Sequence, residues 1–168
     1  AGQRWWMAER AKVGLAITHW PVEYGGAGLT LAHLIAIADE MARADAPQAR
    51  MFTISLIHLP GTLFPHGTEE QKRRWLPRMA KGELIGAIAM TEPGAGSDLQ
   101  GIRTRAVREG DHYVINGTKM FITNGPIGDV FLVYARTGEG RQDLTTFIVE
   151  SGFPGFTVSK KLSKMGMR

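Results

Sequence analysis

The stretch from Ala89 to Gly101, AMTEPGAGSDLQG, carries the residue types with the clearest chemical use in this chain. In Pro93-Gly94-Ala95-Gly96-Ser97-Asp98 two glycines and an alanine strip away side-chain bulk, so backbone N–H groups can approach an anion, while Thr91 and Ser97 add hydroxyl donors. That combination suits a phosphate-bearing ligand. A bare Gly-Ala-Gly also makes an ordinary turn, and the residues alone leave both readings open. Glu92 and Asp98 could serve as general bases, but their place beside a turn favours carboxylates that bind backbone N–H groups and fix the loop. Thr118 to Thr123 reads as a strand, in which Phe121 and Thr123 share one face. Phe121 taken alone could fill a core.

Other chemistry is excluded. The 168 residues contain no cysteine, which removes disulfides, Cys-ligated metals and a thiol nucleophile. The histidines, at 19, 33, 58, 66 and 112, show no metal-ligand spacing such as HExxH. Gly25-Gly26-Ala27-Gly28 lacks the preceding hydrophobic strand that a dinucleotide fingerprint needs. Ser55 and His58, inside an apolar stretch, read as a satisfied hydroxyl and a surface or packed imidazole rather than ligand contacts. A net charge of +4, with 20 basic residues scattered among 16 acidic ones, argues for an anionic cofactor or a solvated face, not nucleic acid. No stretch is long and apolar enough to cross a membrane and no signal peptide is visible, so a cytoplasmic location is the default expectation; the start at Ala1 leaves a presequence open.

At 43% hydrophobic residues the chain can bury a core in one domain or two small ones. Residues 1–13 suit an amphipathic helix ending near Gly14, followed by a proline- and glycine-rich loop from Trp20 to Gly28. Thr30 is placed to cap a helix through Asp45, whose apolar stripe of Leu31, Leu34, Ile35, Ala38, Met41 and Ala42, widened by Ile37, predicts burial inside a bundle. Pro47 to Pro65 reads as a helix opened by Pro47 and disturbed at Pro60-Gly61. Thr68-Glu69-Glu70-Gln71 is a capping box, opening a helix with Trp75, Leu76 and Met79 on its apolar side. Beyond Gly82 the period changes to two. Strands are predicted at Leu84–Met90, Thr104–Arg108, His112–Ile115, Thr118–Thr123, Val130–Arg136, Thr145–Val149 and Thr157–Ser159, with a tight turn at Asn116-Gly117 and a polar tail from Lys160 to Arg168. The expected fold is α+β: part of an α-helical bundle over residues 1–83, then an antiparallel β-barrel or sandwich over residues 84–168.

Thr91 to Asp98 with Gly101, followed by Asn116-Gly117-Thr118-Lys119-Met120-Phe121-Ile122-Thr123-Asn124-Gly125, resembles the acyl-CoA dehydrogenase family. Pro21-Val22-Glu23-Tyr24-Gly25-Gly26-Ala27-Gly28 and Gly67 to Lys72 extend the resemblance over essentially the whole chain. The resemblance implies flavin adenine dinucleotide (FAD) in a crevice at the junction of the two parts. Its cofactor-binding residues would be Met90, Thr91, Gly96, Ser97, Phe121, Ile122 and Thr123, with Phe121 stacking on the flavin where many relatives carry Trp. Ser97 would also touch the acyl-CoA substrate. The implied reaction is α,β-dehydrogenation of an acyl-CoA thioester, with electrons leaving through an electron-transferring flavoprotein and a homotetramer as the full-length assembly. A mitochondrial matrix location follows if the source is eukaryotic.

The catalytic glutamate of the family belongs to a C-terminal helical domain with which nothing here aligns, so no catalytic residue is assigned in this chain and a fragment is expected. Asp143 to Glu150, Gly155-Phe156 and Lys160-Lys161-Leu162 look most like short- and branched-chain members. An acyl-CoA oxidase, a flavin monooxygenase on the same scaffold and a non-catalytic interaction module are the alternatives. These 168 residues purified alone are expected to bind flavin weakly or not at all and to show no turnover; acyl-CoA-dependent bleaching of flavin bound to this chain would refute that.

Overall fold

A computed structural model describes residues 2–140 and 142–165, so the end of the polar tail, residues 166–168, lies outside the described residues. The chain divides into two compact units, Ala1–Gly86 and Ala87–Arg168.

The first unit is helical. Helix α1, Gly2–Lys12, buries Met7, which joins Ala16, Phe52 and Ile85 in one cluster. Helix α2, Leu31–Arg43, departs from expectation: none of its residues is buried, and Leu31 and Ile35 are 71% and 62% exposed. The apolar stripe is present, but periodicity reports which face is apolar and not whether anything covers it. Thr30 takes the N-cap position, yet its hydroxyl pairs with His33 Nδ1 at 2.8 Å instead of a backbone N–H.

The next helical run starts at Arg50 rather than Pro47, as a 3₁₀ turn, Arg50–Phe52, then a π turn, Ile54–His58, then α3, Leu59–His66. Pro60 explains the change of pitch. It lacks an N–H and its ring would collide with the Leu56 carbonyl in an α-helix, so the backbone widens to a π turn and restarts with Pro60 in the first turn of α3. Inside this run Ser55 is fully buried and bridges to the next segment, donating to the Leu84 carbonyl at 3.2 Å and accepting from Gly86 N–H at 2.7 Å. His58 is exposed, as a surface imidazole would be.

Helix α4, Glu69–Ala80, opens on the expected capping box: Thr68 Oγ1 accepts from Gln71 N–H, and Gln71 Oε1 accepts from Thr68 N–H. It buries Trp75, Leu76 and Met79 and closes in a Schellman motif, with Gly82 N–H bonded to Met79 O and Glu83 N–H to Arg78 O. Gly82 has φ +72, and a Cβ there would lie 2.7 Å from Met7 Cγ.

The second unit holds five strands: β1, Gly86–Ala89; β2, Arg105–Glu109; β3, His112–Asn116; β4, Val130–Arg136; and β5, Leu144–Glu150. Hairpins β2–β3 and β4–β5 are antiparallel, as predicted. They meet, however, through a parallel pair, Arg105↔Arg136, giving the order β1-β4-β2-β3 with β5 also on β4. The expected antiparallel barrel or sandwich is therefore corrected to an open mixed sheet.

Two expected strands are missing among the described residues. Residues 157–159 are irregular. Thr118–Thr123 is not extended either, because Phe121 has φ +57, outside the β region. The core comprises Ala87, Ala89, Phe131, Val133 and Val149, with Ile115, Ile122, Phe147 and Phe156 packed against it.

Ser55→Ala removes both bonds at a fully buried position and leaves the Gly86 N–H and the Leu84 carbonyl without that partner. The expected loss is roughly 2 kcal/mol, measured by chemical denaturation; a loss below roughly 0.5 kcal/mol contradicts the bridge.

Candidate functional site

The chain leaves β1 at Ala89 and turns immediately. Glu92 N–H donates to Ala95 O at 2.9 Å and Ala95 N–H to Glu92 O at 3.2 Å, closing a tight turn over Pro93-Gly94 that buries Ala95. Gly96 and Ser97 then run exposed, until Asp98 accepts from Gln100 N–H at 3.0 Å and starts the short 3₁₀ turn Leu99–Gly101. Asp98 thus fixes the loop.

Glu92 does so more completely. It is 7% exposed and accepts from Arg103 N–H at 2.7 Å, Thr104 N–H at 2.9 Å, the Thr104 hydroxyl, and Lys119 Nζ at 2.9 Å. Burial pushes its carboxyl up, but the bonds from Lys119, Thr104 and Arg103 outweigh it and bring the pKa from 4.5 to about 2. Burial draws the Lys119 ammonium down, opposed by Glu92. A carboxylate so stabilised is a poor general base.

Lys119 Nζ also donates to Met90 O at 3.0 Å, and Met120 N–H donates to Thr91 O at 2.9 Å. The loop after β1 and the segment after β3 are thereby held side by side. Asn116-Gly117 does not form the expected turn: Asn116 ends β3 and Gly117 continues without one. Glycine is needed there for close approach, since a Cβ would sit 2.3 Å from Thr104 Oγ1 and 2.7 Å from Thr104 Cα.

Of the expected site residues, Met90 and Thr91 are half-buried, while Gly96, Ser97, Phe121 and Thr123 are exposed. Ile122 turns its side chain into the core. The hydroxyls of Thr91, Ser97 and Thr123 make no hydrogen bond among the described residues. A Cβ at Gly94 or Gly96 would meet nothing within 4 Å, and neither glycine has a left-handed φ, so neither the backbone conformation nor the packing of this chain requires glycine there. Phe121 is 65% exposed at a positive φ, a costly conformation for a bulky residue and one associated with functional sites. Lys119, Thr104 and Gly117 were missed as site-forming residues. The available signal was one lysine at the head of the apolar run Met120-Phe121-Ile122, downstream of a glutamate in a turn.

Two cavities lie elsewhere. One, of about 330 Å³, is bordered by Arg105, Arg108, Tyr113 and Arg136. The other, of about 400 Å³, is bordered by Trp20, Leu56, Ile57 and Phe64. Among the described residues no group of His, Asp or Glu side chains could hold a metal, and no helix is long and apolar enough to cross a membrane.

The chain thus combines a helical unit with an open mixed sheet whose loops gather glycines, unbonded hydroxyls and an exposed ring. Comparison with known proteins gives the class a name. The acyl-CoA dehydrogenase N-terminal domain profile matches residues 2–83 and the acyl-CoA dehydrogenase middle domain profile matches residues 87–168. The chain belongs to the acyl-CoA dehydrogenase family. It is 43% identical over 152 residues to mitochondrial isovaleryl-CoA dehydrogenase from Pongo abelii, covering 88% of this chain and 36% of that protein. An acyl-CoA dehydrogenase structure from Geobacillus kaustophilus superposes with TM-score 0.81 at 38% identity, covering 96% of this chain and 43% of that one. A glutaryl-CoA dehydrogenase from Mycobacterium smegmatis in complex with FADH2 gives TM-score 0.74 at 36% identity, over 95% and 41% of the two chains. The chain thus spans well under half the length of these relatives.

The folded-state pKa of Glu92 lies below its ordinary value, so its contribution to stability is complete above pH 4.5 and lost as pH falls through about 2. The shift corresponds to a contribution on the order of 3 kcal/mol. Glu92→Gln is expected to lower stability at pH 7 by a similar amount and to flatten its pH dependence in that window, read by denaturation at several pH values; an unchanged acid limb contradicts the assignment.

Proposed function

We propose that this chain forms the flavin-facing part of an FAD-dependent acyl-CoA dehydrogenase, which introduces a double bond between the α and β carbons of an acyl-CoA thioester. The observation that carries the reading is the joining of loop 90–98 to segment 119–123, with glycines, hydroxyls and a ring left for a ligand. These groups fit FAD. Main-chain and hydroxyl groups of Met90 and Thr91 would serve the pyrimidine edge of the ring system, and the backbone at Gly96 and Ser97 the pyrophosphate. The Phe121 ring would lie on the flavin and the Thr123 hydroxyl would donate near its reactive nitrogen. Ile122, its half-buried side chain packed against the core, would contribute main-chain groups alone. Ser97 would also meet the acyl-CoA.

FAD, when bound, supplies the acceptance of the electron pair lost as the Cα–Cβ bond is oxidised. The α-proton needs a carboxylate base within hydrogen-bond reach. Glu92 and Asp98 are both committed to the loop, so the base is assigned to a region of the parent protein beyond these residues, and no catalytic residue to this chain. Electrons would pass to an electron-transferring flavoprotein, and the complete protein would be a homotetramer. A short- or branched-chain acyl substrate accords with the isovaleryl-CoA dehydrogenase relative, itself mitochondrial. We assign this protein to the cytoplasm, or to the mitochondrial matrix in a eukaryote, and divide the chain functionally at residue 84.

The test is an anaerobic titration of the complete, FAD-reconstituted protein with acyl-CoA thioesters of graded chain length and branching. Bleaching of the flavin, strongest with short or branched acyl groups, is expected; no bleaching with any thioester overturns the reading, and a preference for long straight chains overturns the substrate class. A second variant isolates Phe121. Relief of its positive φ is worth about 1 kcal/mol, so Phe121→Gly is expected to leave the flavin-free protein at least as stable while weakening FAD binding about tenfold; unchanged FAD affinity removes the stacking role.

A further inference from the structure

Three stretches of irregular backbone meet at one carboxylate. Met90 to Glu92 follow β1, Arg103 and Thr104 precede β2, and Lys119 and Met120 follow β3. Glu92 takes three donors from Arg103 and Thr104 and one from Lys119. The Lys119 ammonium spans the gap in the other direction, holding Met90 O at 3.0 Å and Glu92 Oε1 at 2.9 Å with its side chain 11% exposed. Beside this sits the backbone bond from Met120 N–H to Thr91 O.

The chemistry assigned above needs groups at 90–91 and groups at 121–123 to engage one rigid ring together, so their separation must be right to a fraction of an ångström. We propose that Lys119 is a positioning residue for the flavin: by clamping the Met90 carbonyl to the Glu92 carboxylate it sets the distance between the two segments that grip the ring. This inference rests on the FAD reading.

The local geometry supports the role from both sides of Phe121. Two residues before it, Lys119 is tied down; immediately after it, Ile122 packs against the core. Between these anchors the left-handed turn at Phe121 sends its ring outward. Lysine suits the position because it carries three donors and no acceptor on one compact charge, so it can bind a carbonyl and a carboxylate at once. Methionine, uncharged, unbranched and one atom shorter, replaces most of the stem and binds neither. A merely structural ion pair would lower stability on removal and leave the bound flavin as it was.

The experiment compares the complete wild-type protein with Lys119→Met and Thr104→Val, each reconstituted with FAD. The readouts are FAD affinity, the midpoint potential and visible spectrum of the bound flavin, kcat and KM for acyl-CoA, and the thermal midpoint without flavin. Lys119→Met is expected to weaken FAD binding about tenfold or more, to shift the potential and the visible band, and to lower kcat more than it raises KM. Thr104→Val removes one donor from Glu92 and leaves Lys119 in place, so it should move the spectrum in the same direction by less. A folded Lys119→Met protein with FAD affinity within about twofold of wild type and an unchanged potential overturns the proposal. If Lys119→Met does not fold, Thr104→Val decides: an unaltered spectrum and affinity overturn the positioning role. Failure of the wild type to bind FAD instead brings down the flavin reading and the positioning role with it, which keeps the two failures apart.

Discussion

A carboxylate taken out of water must have its charge answered inside the protein, and Glu92 meets that demand with one ammonium, one hydroxyl and two backbone N–H groups. The donors come from residues 103, 104 and 119, far apart in sequence, so the requirement that each remain bonded becomes a requirement on the path of the chain. Such a network is nearly all-or-none. Removing one partner leaves a buried charge or a buried donor unanswered, and that penalty exceeds what a single bond contributes when the set is intact. The irregular parts of the second unit are held by this constraint more than by ladder hydrogen bonds.

The same constraint accounts for the shape of the sheet around it. Thr104 is both a donor to Glu92 and the residue before β2, and Arg136 N–H donates to Thr104 O at 2.8 Å, next to the parallel pair Arg105↔Arg136. The Arg136 guanidinium then collects the carbonyls of Ile102, Gln100 and Gly140. The polypeptide from 100 to 105 is therefore gripped from two sides, by Glu92 and by Arg136. A hairpin held in this way joins its neighbour edge to edge at one end, and the sheet remains open.

Local signals in the sequence were sound wherever a few adjacent residues settle the outcome. The capping box at Thr68–Gln71, the change of period at Gly82 and the apolar, β-branched runs of β4 and β5 all depend on short-range sterics and hydrogen bonds. The role of Glu92 and Asp98 as loop-fixing carboxylates was legible for the same reason. What could not be read depends on distant partners. The stripe of α2 says nothing of its cover, the pitch change at Ile54–His58 is decided by Pro60 acting four residues back, and Gly117 answers to Thr104 rather than to its neighbours. Lys119 belongs with these, because its two acceptors lie 29 and 27 residues away.

Phe121 shows how an expected exposure pattern can arise from a geometry other than the one it was read from. Strand alternation was the reason for placing Phe121 and Thr123 on one face, and the structure leaves 121 and 123 exposed with 122 half-buried against the core, although no strand is present there. In a strand the alternation would come free with the pleat. Here it is produced by a left-handed residue between two anchors, which costs conformational energy and persists because Lys119 and Ile122 over-determine the backbone on either side. The identity of residue 121 is consequently constrained twice, by what its ring can cover and by what its φ will tolerate. Asn124, three residues on and also left-handed, is a residue type that accepts this conformation readily. A phenylalanine held there carries a conformational cost that asparagine largely avoids.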